Sequence, residues 1–271
     1  DHRDLHSFPT RRSSDLLSLR WRNQPLNAAP PASALDALEA QIEACRLCPR
    51  LVSWREEVAR VKRRAFREET YWGRAVPGFG DPQAQLLIVG LAPGAHGSNR
   101  TGRMFTGDAS GEFLYGALHR AGFANQPTSL GRGDGLALRG AFITAVVRCA
   151  PPDNKPTLEE IRTCLPYLRA EMGLLREVRG IVALGKIAFD HVVDVLRQDG
   201  LPLPGAVFGH GLFYDAPAGF PWLLASYHPS RQNTQTGRLT RDMFDSIWLR
   251  ARALLPEPPP VETIQEKKDD Q

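Results

Sequence analysis

The sequence predicts an α/β fold, a three-layer αβα sandwich around a central four-stranded parallel sheet. Four short apolar runs alternate along the chain with longer amphipathic segments, and parallel strands are joined in this way by crossover helices. Each run is largely apolar, which is typical of strands that are covered on both faces. With 271 residues, the chain is long enough to bury one substantial core.

The elements follow one another in βαβ order. The first strand ends at Gly90, where an apolar run gives way to a glycine-rich loop. The spacing of Thr157 and Glu160 is a capping box, which predicts that a helix begins there and continues through Cys164. The predicted strands cover residues 85–90, 142–147, 181–184 and 222–226, and the other predicted helices cover residues 111–121, 186–197 and 240–254.

The two ends differ from the rest of the chain. Residues 1–16 show no apolar period and resemble translated adapter sequence, so we expect a non-native leader. We expect residues 17–40 to be a lead-in that is helical from about residue 33. Residues 41–255 are predicted to form the folded domain, and the proline-rich, charged residues 256–271 a disordered tail. No apolar stretch reaches the length of a membrane span, so we expect a soluble, cytoplasmic protein.

The net charge is concentrated in the middle of the chain. The formal charge is +4; residues 1–16 carry none of it and residues 256–271 carry −3, which leaves +7 on residues 17–255. A moderately basic domain suits a polyanionic partner, although many soluble proteins are equally basic.

Four cysteines form a candidate metal site. Cys45 and Cys48 are a C-x-x-C pair, Cys149 ends the second strand, and Cys164 lies on the next helix. Four thiolates can hold tetrahedral zinc or an iron–sulfur cluster. The spread of the second pair favours a cluster, and the alternative is that Cys149 and Cys164 are ordinary buried residues.

Two loops that follow strands carry the other candidate residues. The first runs from Gly90 through Phe105 to Asp108, and its repeated glycines allow close approach of backbone N–H groups to a phosphate or a ring. It has neither Walker nor dinucleotide-binding spacing, so an ordinary surface loop is the alternative. The second begins at His228, and Pro229 keeps the backbone extended there.

Together these residues resemble the uracil-DNA glycosylase superfamily, specifically its family 5. The matching stretches are residues 90–94 with 100–108, residues 144–156, residues 228–238 and all four cysteines. The resemblance implies the fold of that superfamily, DNA as partner, and a monomer that acts at the nucleoid. It also implies that a deaminated base is flipped out of the duplex and its N-glycosidic bond hydrolysed, which leaves an abasic site.

The resemblance also implies roles for individual residues. His228 donates to the leaving base, Phe105 stacks on it, and Asp108 and Asn154 occupy positions associated with catalysis. The first matching stretch, residues 90–94, contains no acidic residue. Asp108 is therefore the only nearby candidate for activating water or stabilising the oxocarbenium ion. The ligands of a structural 4Fe–4S cluster are Cys45, Cys48, Cys149 and Cys164.

The remaining assignments concern the base pocket and the DNA backbone. Gly90, Ala92, Gly94 and Ala145 are expected to line the pocket. Ala145 stands where family 4 has an asparagine that reads uracil, so we expect looser selection that admits modified pyrimidines and hypoxanthine. The predicted DNA contacts are a wedge at Ser230 and Arg231 and phosphate contacts from Arg100, Arg103, Lys155 and Arg238.

Two rival functions stay open at this point. One is a non-catalytic or trapping iron–sulfur protein of the same fold that binds damaged DNA. The other is a zinc-bearing protein that acts on free nucleotides.

Overall fold

The structure, a computed structural model, describes residues 32–256. Two short 3₁₀ turns accompany the helices and strands, at Arg64–Phe66 and Pro152–Asn154. The strands are β1 (Phe79–Gly80), β2 (Leu86–Gly90), β3 (Ala141–Ala145), β4 (Gly180–Leu184), β5 (Phe213–Tyr214) and β6 (Trp222–Ser226). The helices are α1 (Ala32–Glu43), α2 (Pro49–Val61), α3 (Ser98–Thr101), α4 (Ala109–Arg120), α5 (Leu158–Leu174), α6 (Lys186–Gln198), α7 (Arg231–Gln235) and α8 (Arg241–Leu254).

The six strands form one sheet in the order β1-β3-β2-β4-β6-β5. The four central strands pair in parallel, which confirms the predicted four-stranded parallel core. The edge strands β1 and β5 are antiparallel and only two residues long each. Such short strands have no hydrophobic pattern to read, and they were not predicted.

Alternate residues of the central strands enter two separate hydrophobic clusters. Leu87 and Val89 pack on the side that carries α1, α5 and α6, whereas Leu86 and Ile88 pack on the side that carries α4 and α8. Successive side chains of a strand point to opposite faces, so both faces of the sheet are covered. This arrangement confirms the three-layer sandwich.

The main helices begin where the sequence places them. Thr157 caps α5, and its side chain and that of Glu160 form the predicted capping box. Thr240 likewise caps α8 by accepting a hydrogen bond from the N–H of Met243. Helix α2 was not predicted, because charged residues interrupt its apolar spacing.

The predicted domain boundaries fall largely outside the described residues. This is so for the leader, for most of the lead-in and for nearly all of the tail. Helix α1 begins at Ala32, next to the predicted position, and adds Leu35, Leu38 and Ile42 to the core. None of the helices within residues 32–256 combines the length and apolarity needed to cross a bilayer.

A buried polar network joins β3 to α5. The Arg148 guanidinium donates to Glu171 Oε2 at 2.5 Å, and the Thr144 hydroxyl donates to the same oxygen at 2.6 Å. All three side chains are at most 1% exposed. The charged groups compensate each other inside the protein, and they fix the carboxyl end of β3 against the helix that carries Cys164.

Candidate active site

The parallel strands bring the two predicted loops to the same edge of the sheet. Gly90 at the end of β2 is level with Ala145 at the end of β3, and Leu184 at the end of β4 is level with Ser226 at the end of β6. Loops that leave these positions emerge together, which is where open α/β sheets bind ligands.

Phe105 and His228 meet at this edge. Their ring centroids are 5.7 Å apart and their planes are inclined by 31°. The Phe105 ring lies against Gly90, so closely that a Cβ at Gly90 would stand 2.7 Å from the ring. Phe105 has a left-handed φ of 51°, a strained conformation for a residue with a bulky side chain. The backbone of the loop therefore sets the position of this ring.

Asp108 packs against the other end of the glycine-rich loop. Its Oδ1 accepts a hydrogen bond of 3.0 Å from the N–H of Gly111 and caps α4. Its Oδ2 lies against Gly94 and Gly97, where a Cβ at either position would come closer than 3.0 Å. Burial raises the pKa of Asp108, although the backbone N–H groups of Gly111 and Ser110 oppose that rise. The two glycines make room for a carboxylate beside the loop.

The structure keeps the imidazole of His228 neutral. Burial lowers its pKa to about 4. Its backbone carbonyl accepts a hydrogen bond of 2.9 Å from Asn233 Nδ2, and Ser230 caps the short helix α7 on which Asn233 lies. A neutral imidazole can donate a hydrogen bond from one ring nitrogen without adding positive charge.

A second histidine holds the strand end that precedes His228. The N–H of Tyr227 donates to His210 Nδ1 at 3.1 Å, which leaves Nε2 as the protonated nitrogen facing Met243 O at 3.3 Å. The rings of His210 and Tyr227 are stacked at 5.0 Å. This contact joins the loop after β6 to α8, and neither residue was identified from the sequence.

Asn154 lies on the exposed 3₁₀ turn that follows β3. Asn154 and Asp153 both have left-handed φ angles, of 56° and 52°, and Asn and Asp tolerate that conformation better than most residues. Arg50 ties the turn to α2 by donating to Lys155 O at 3.1 Å and pairing with Glu160. Within residues 32–256, no hydrogen bond joins Asn154 to Phe105, Asp108 or His228.

The predicted pocket residues lie at the same edge. Gly90 and Ala145 are paired neighbours, and Ala145 is buried. Ala92 packs against the core on one side of the sheet, and Gly94 contacts Asp108. Their roles in base binding stay predictions.

The phosphate contacts predicted for Arg100 and Arg103 do not fit the structure. Both side chains are buried, and their guanidinium groups already bind protein carboxylates or carbonyls. Arg100 pairs with Glu69 and donates to the carbonyls of His96 and Gly107, each at 2.8 Å. Arg103 makes a two-pronged ion pair with Asp134 at 2.8 and 2.7 Å. Both side chains brace the loop from inside.

The other predicted DNA contacts are accessible. Lys155, Arg231 and Arg238 are exposed, and Arg238 lies 4.7 Å from the centre of the Tyr227 ring. Ser230 is half-buried because its hydroxyl caps α7.

The four cysteines line one small cavity. Arg55 Nη1 donates to Cys149 Sγ at 2.9 Å, and the N–H of Arg148 donates to Cys164 Sγ at 3.3 Å. Burial raises the pKa of Cys149 to about 11 and that of Cys164 to about 12. As free thiols they would be protonated at neutral pH, so a metal group would displace their protons.

The thiols that line the cavity are the donor type of both zinc sites and iron–sulfur clusters. Within the described part of the chain, no group of three or more Cys, His, Asp or Glu side chains is arranged to hold a metal ion. Hydrogen bonds to the sulfurs of a cluster are among the features that tune it. The donors on Arg55 and Arg148 fit that requirement, and the role of Arg55 was not predicted from the sequence.

Comparison with known proteins points to one family. The family model described as the uracil DNA glycosylase superfamily matches residues 77–252. A type-5 uracil-DNA glycosylase of Thermus thermophilus is 58% identical over 219 residues, which are 81% of this chain and 97% of the relative. A type-5 enzyme of Pyrobaculum aerophilum is 44% identical over 223 residues, covering 82% and 94% of the two chains. A type-4 enzyme of the same organism is 41% identical over 178 residues, covering 64% and 82%.

Substituting Gly97 by alanine tests the close packing of Asp108. We expect Gly97→Ala to lower the free energy of unfolding by about 1–3 kcal/mol, because the new Cβ collides with the carboxylate. Gly131→Ala is the control, since nothing lies within 4 Å of a Cβ there. Equal stability of the two variants in denaturant titrations would contradict the packing.

The pH dependence of stability tests the burial of His228. The unfolded imidazole takes up a proton near pH 6.5 and the folded one only near pH 4, so this contribution is complete above pH 6.5 and is lost as the pH falls towards 4. We expect it to amount to about 3 kcal/mol and to be missing from His228→Gln. The exposed His119 provides the control: His119→Gln should keep the wild-type profile of unfolding free energy against pH.

Proposed function

We propose that this chain, which belongs to the uracil DNA glycosylase superfamily, excises uracil from DNA with Asp108 and His228 as its catalytic pair. It is a DNA repair glycosylase that hydrolyses the N-glycosidic bond. The observation that supports the proposed pair is the contact of the His228 ring with the ring of Phe105, on the same glycine-rich loop whose Gly94 and Gly97 pack against Asp108. We place its action on chromosomal DNA at the nucleoid.

The flipped base stacks on Phe105, and its edge faces His228. A base stacked in a duplex is inaccessible, so extrusion costs a few kcal/mol that stacking on an aromatic ring helps to offset. Phe105 is fixed in place by Gly90 and by its own backbone, so it offers a preformed surface. Pre-organisation of this kind lowers the entropy cost of binding.

Bond cleavage separates charge between the sugar and the leaving base. Negative charge develops on the base, and a neutral His228 donates a hydrogen bond to its oxygen. Positive charge develops on the sugar, where the Asp108 carboxylate stabilises it or accepts a proton from the attacking water. Asn154 lies on the exposed turn that follows β3, and its proposed role is to help orient the attacking water.

The pocket is expected to be tolerant of bases other than uracil. Ala145 at the end of β3 offers no side-chain hydrogen bond to the base edge. We therefore propose that modified pyrimidines and hypoxanthine are also excised, with normal thymine and cytosine left in place.

A 4Fe–4S cluster held by Cys45, Cys48, Cys149 and Cys164 is part of the proposal. The supporting observations are the shared cavity and the N–H donors that point to two of the sulfurs. When bound, the cluster supplies a cross-link between the start of α2 and the segment after β3. It takes no part in bond cleavage.

An excision assay on a uracil-containing duplex, followed by alkali to cut abasic sites, tests the catalytic pair. We expect Asp108→Asn to lose about 10²–10⁴-fold in rate and His228→Ala about 10²–10³-fold. Asparagine caps helices as well as aspartate does, so Asp108→Asn removes the charge and keeps the cap. The variant Asp108→Ala removes both and should also be less stable by about 1 kcal/mol.

Two outcomes of this assay would count against the proposal. If Asp108→Asn still excised uracil at the wild-type rate, Asp108 would serve only to cap α4 and would not be catalytic. If the wild-type protein bound the duplex without releasing free base, the rival function of a trapping DNA-damage-binding protein would be supported instead. Duplexes with hypoxanthine, thymine and cytosine, run in parallel, measure base selection, and comparable cleavage of thymine would contradict the tolerant pocket.

Metal analysis of anaerobically purified protein tests the cluster. We expect about four iron atoms and four sulfides per chain, a brown colour, and loss of both in Cys164→Ser. The variant should also melt at a lower temperature, because the cross-link is gone. Stoichiometric zinc without iron would contradict the cluster and favour the zinc-bearing rival.

A further inference from the structure

A basic segment lies between the end of α2 and Tyr71. Within six residues it has four cationic side chains, of which those of Arg63, Arg64 and Arg67 are exposed. The Lys62 ammonium donates to Arg67 O at 3.1 Å. Among residues 32–256, none of the four forms an ion pair with a carboxylate, although the exposed Glu68 follows directly in the chain.

The segment has a defined backbone conformation. Helix α2 ends when Lys62 adopts a left-handed φ of 58°, while its N–H donates to Val58 O at 2.9 Å. The 3₁₀ turn Arg64–Phe66 follows at once. A left-handed conformation at a lysine is uncommon, and it turns the chain sharply before the three exposed arginines.

Two contacts fasten the segment to the glycine-rich loop. The N–H of Arg63 donates to Tyr71 Oη at 3.4 Å, and that hydroxyl is 3.1 Å from His96 Nδ1 in the loop. The Arg100 guanidinium lies 3.9 Å from the centre of the Phe66 ring and pairs with Glu69. Arg100 and the Tyr71–His96 contact therefore link the loop to the basic segment.

The positive charge of the segment affects the pKa of a histidine in the glycine-rich loop. The pKa of His96 is lowered by burial first, and then by the positive charges of Arg63 and Arg100. Exposed cations beside a pocket that receives a flipped nucleotide lie where the flanking backbone of the DNA must pass. Phosphates are the partners that such unpaired guanidinium groups suit best.

We infer that residues 62–67 form a surface that binds DNA phosphates beside the base pocket. This inference rests on the proposed function. Arg100 takes no phosphate itself and instead positions this surface. Because phosphate contacts carry no sequence information, the surface should strengthen binding to damaged and undamaged duplexes alike.

The salt dependence of binding tests this inference. Each lost phosphate contact lowers the slope of log Kd against log salt by about 0.9. We expect R63A/R64A to lower the slope by about 2 for a duplex with an abasic site, and to weaken binding to an undamaged duplex by the same factor. The substitutions keep the backbone N–H of Arg63, so its bond to Tyr71 remains.

The matched control removes the same charge at the opposite edge of the sheet. The control residues lie just before the first residues of β3 and β4: these are Arg139 and Arg179. Both side chains are exposed, and Arg179 pairs with Glu177. R139A/R179A should keep the wild-type slope and the wild-type excision rate. Circular dichroism and melting temperatures confirm that both double variants are folded.

An unchanged slope in R63A/R64A, or an equal fall in the control, would overturn the inference. So would a loss of binding confined to damaged duplex. Excision of uracil by the wild type is scored separately, because its absence would overturn the proposed function rather than the placement of this surface.

Discussion

The parallel register of the four central strands is the constraint on which the site depends. Because β2, β3, β4 and β6 run in the same direction and end level with one another, segments far apart in the sequence leave the sheet together. The glycine-rich loop after β2 and the loop with His228 after β6 therefore meet although they lie far apart in the sequence. Two hydrophobic clusters, one on each face, hold this register.

The predictions from sequence succeeded where a residue pattern has one structural meaning. Continuous apolar runs located the four parallel strands, and the T-x-x-E spacing located the start of α5. Helix α2 was missed because its buried Arg55 reads as a surface residue, although its guanidinium contacts Cys149 and Cys45. The two edge strands have two residues each, too few for any periodicity.

The surroundings of charged side chains were harder to predict, because their partners are remote. Arg100 and Arg103 each pair with an acid 31 positions away, one earlier and one later in the chain. No local signal marks such pairs, so a glycine-rich loop with two arginines resembles a phosphate site whether or not the arginines are free.

The strained backbone positions share another property. In the described residues, non-glycine positions with left-handed φ are confined to four residues, and all of them lie on segments proposed to act in catalysis or DNA binding: Lys62, Phe105, Asp153 and Asn154.

The buried triad of Thr144, Arg148 and Glu171 has an evolutionary consequence. Removing one partner of a buried ion pair leaves an uncompensated charge, at a cost of about 3–5 kcal/mol, which is a large share of the stability of a typical domain. We therefore expect a single substitution at Arg148 or Glu171 to be poorly tolerated, and a simultaneous replacement of both by apolar residues to be tolerated better. The interior that supports the end of β3 therefore tolerates a paired replacement better than a change of either partner alone.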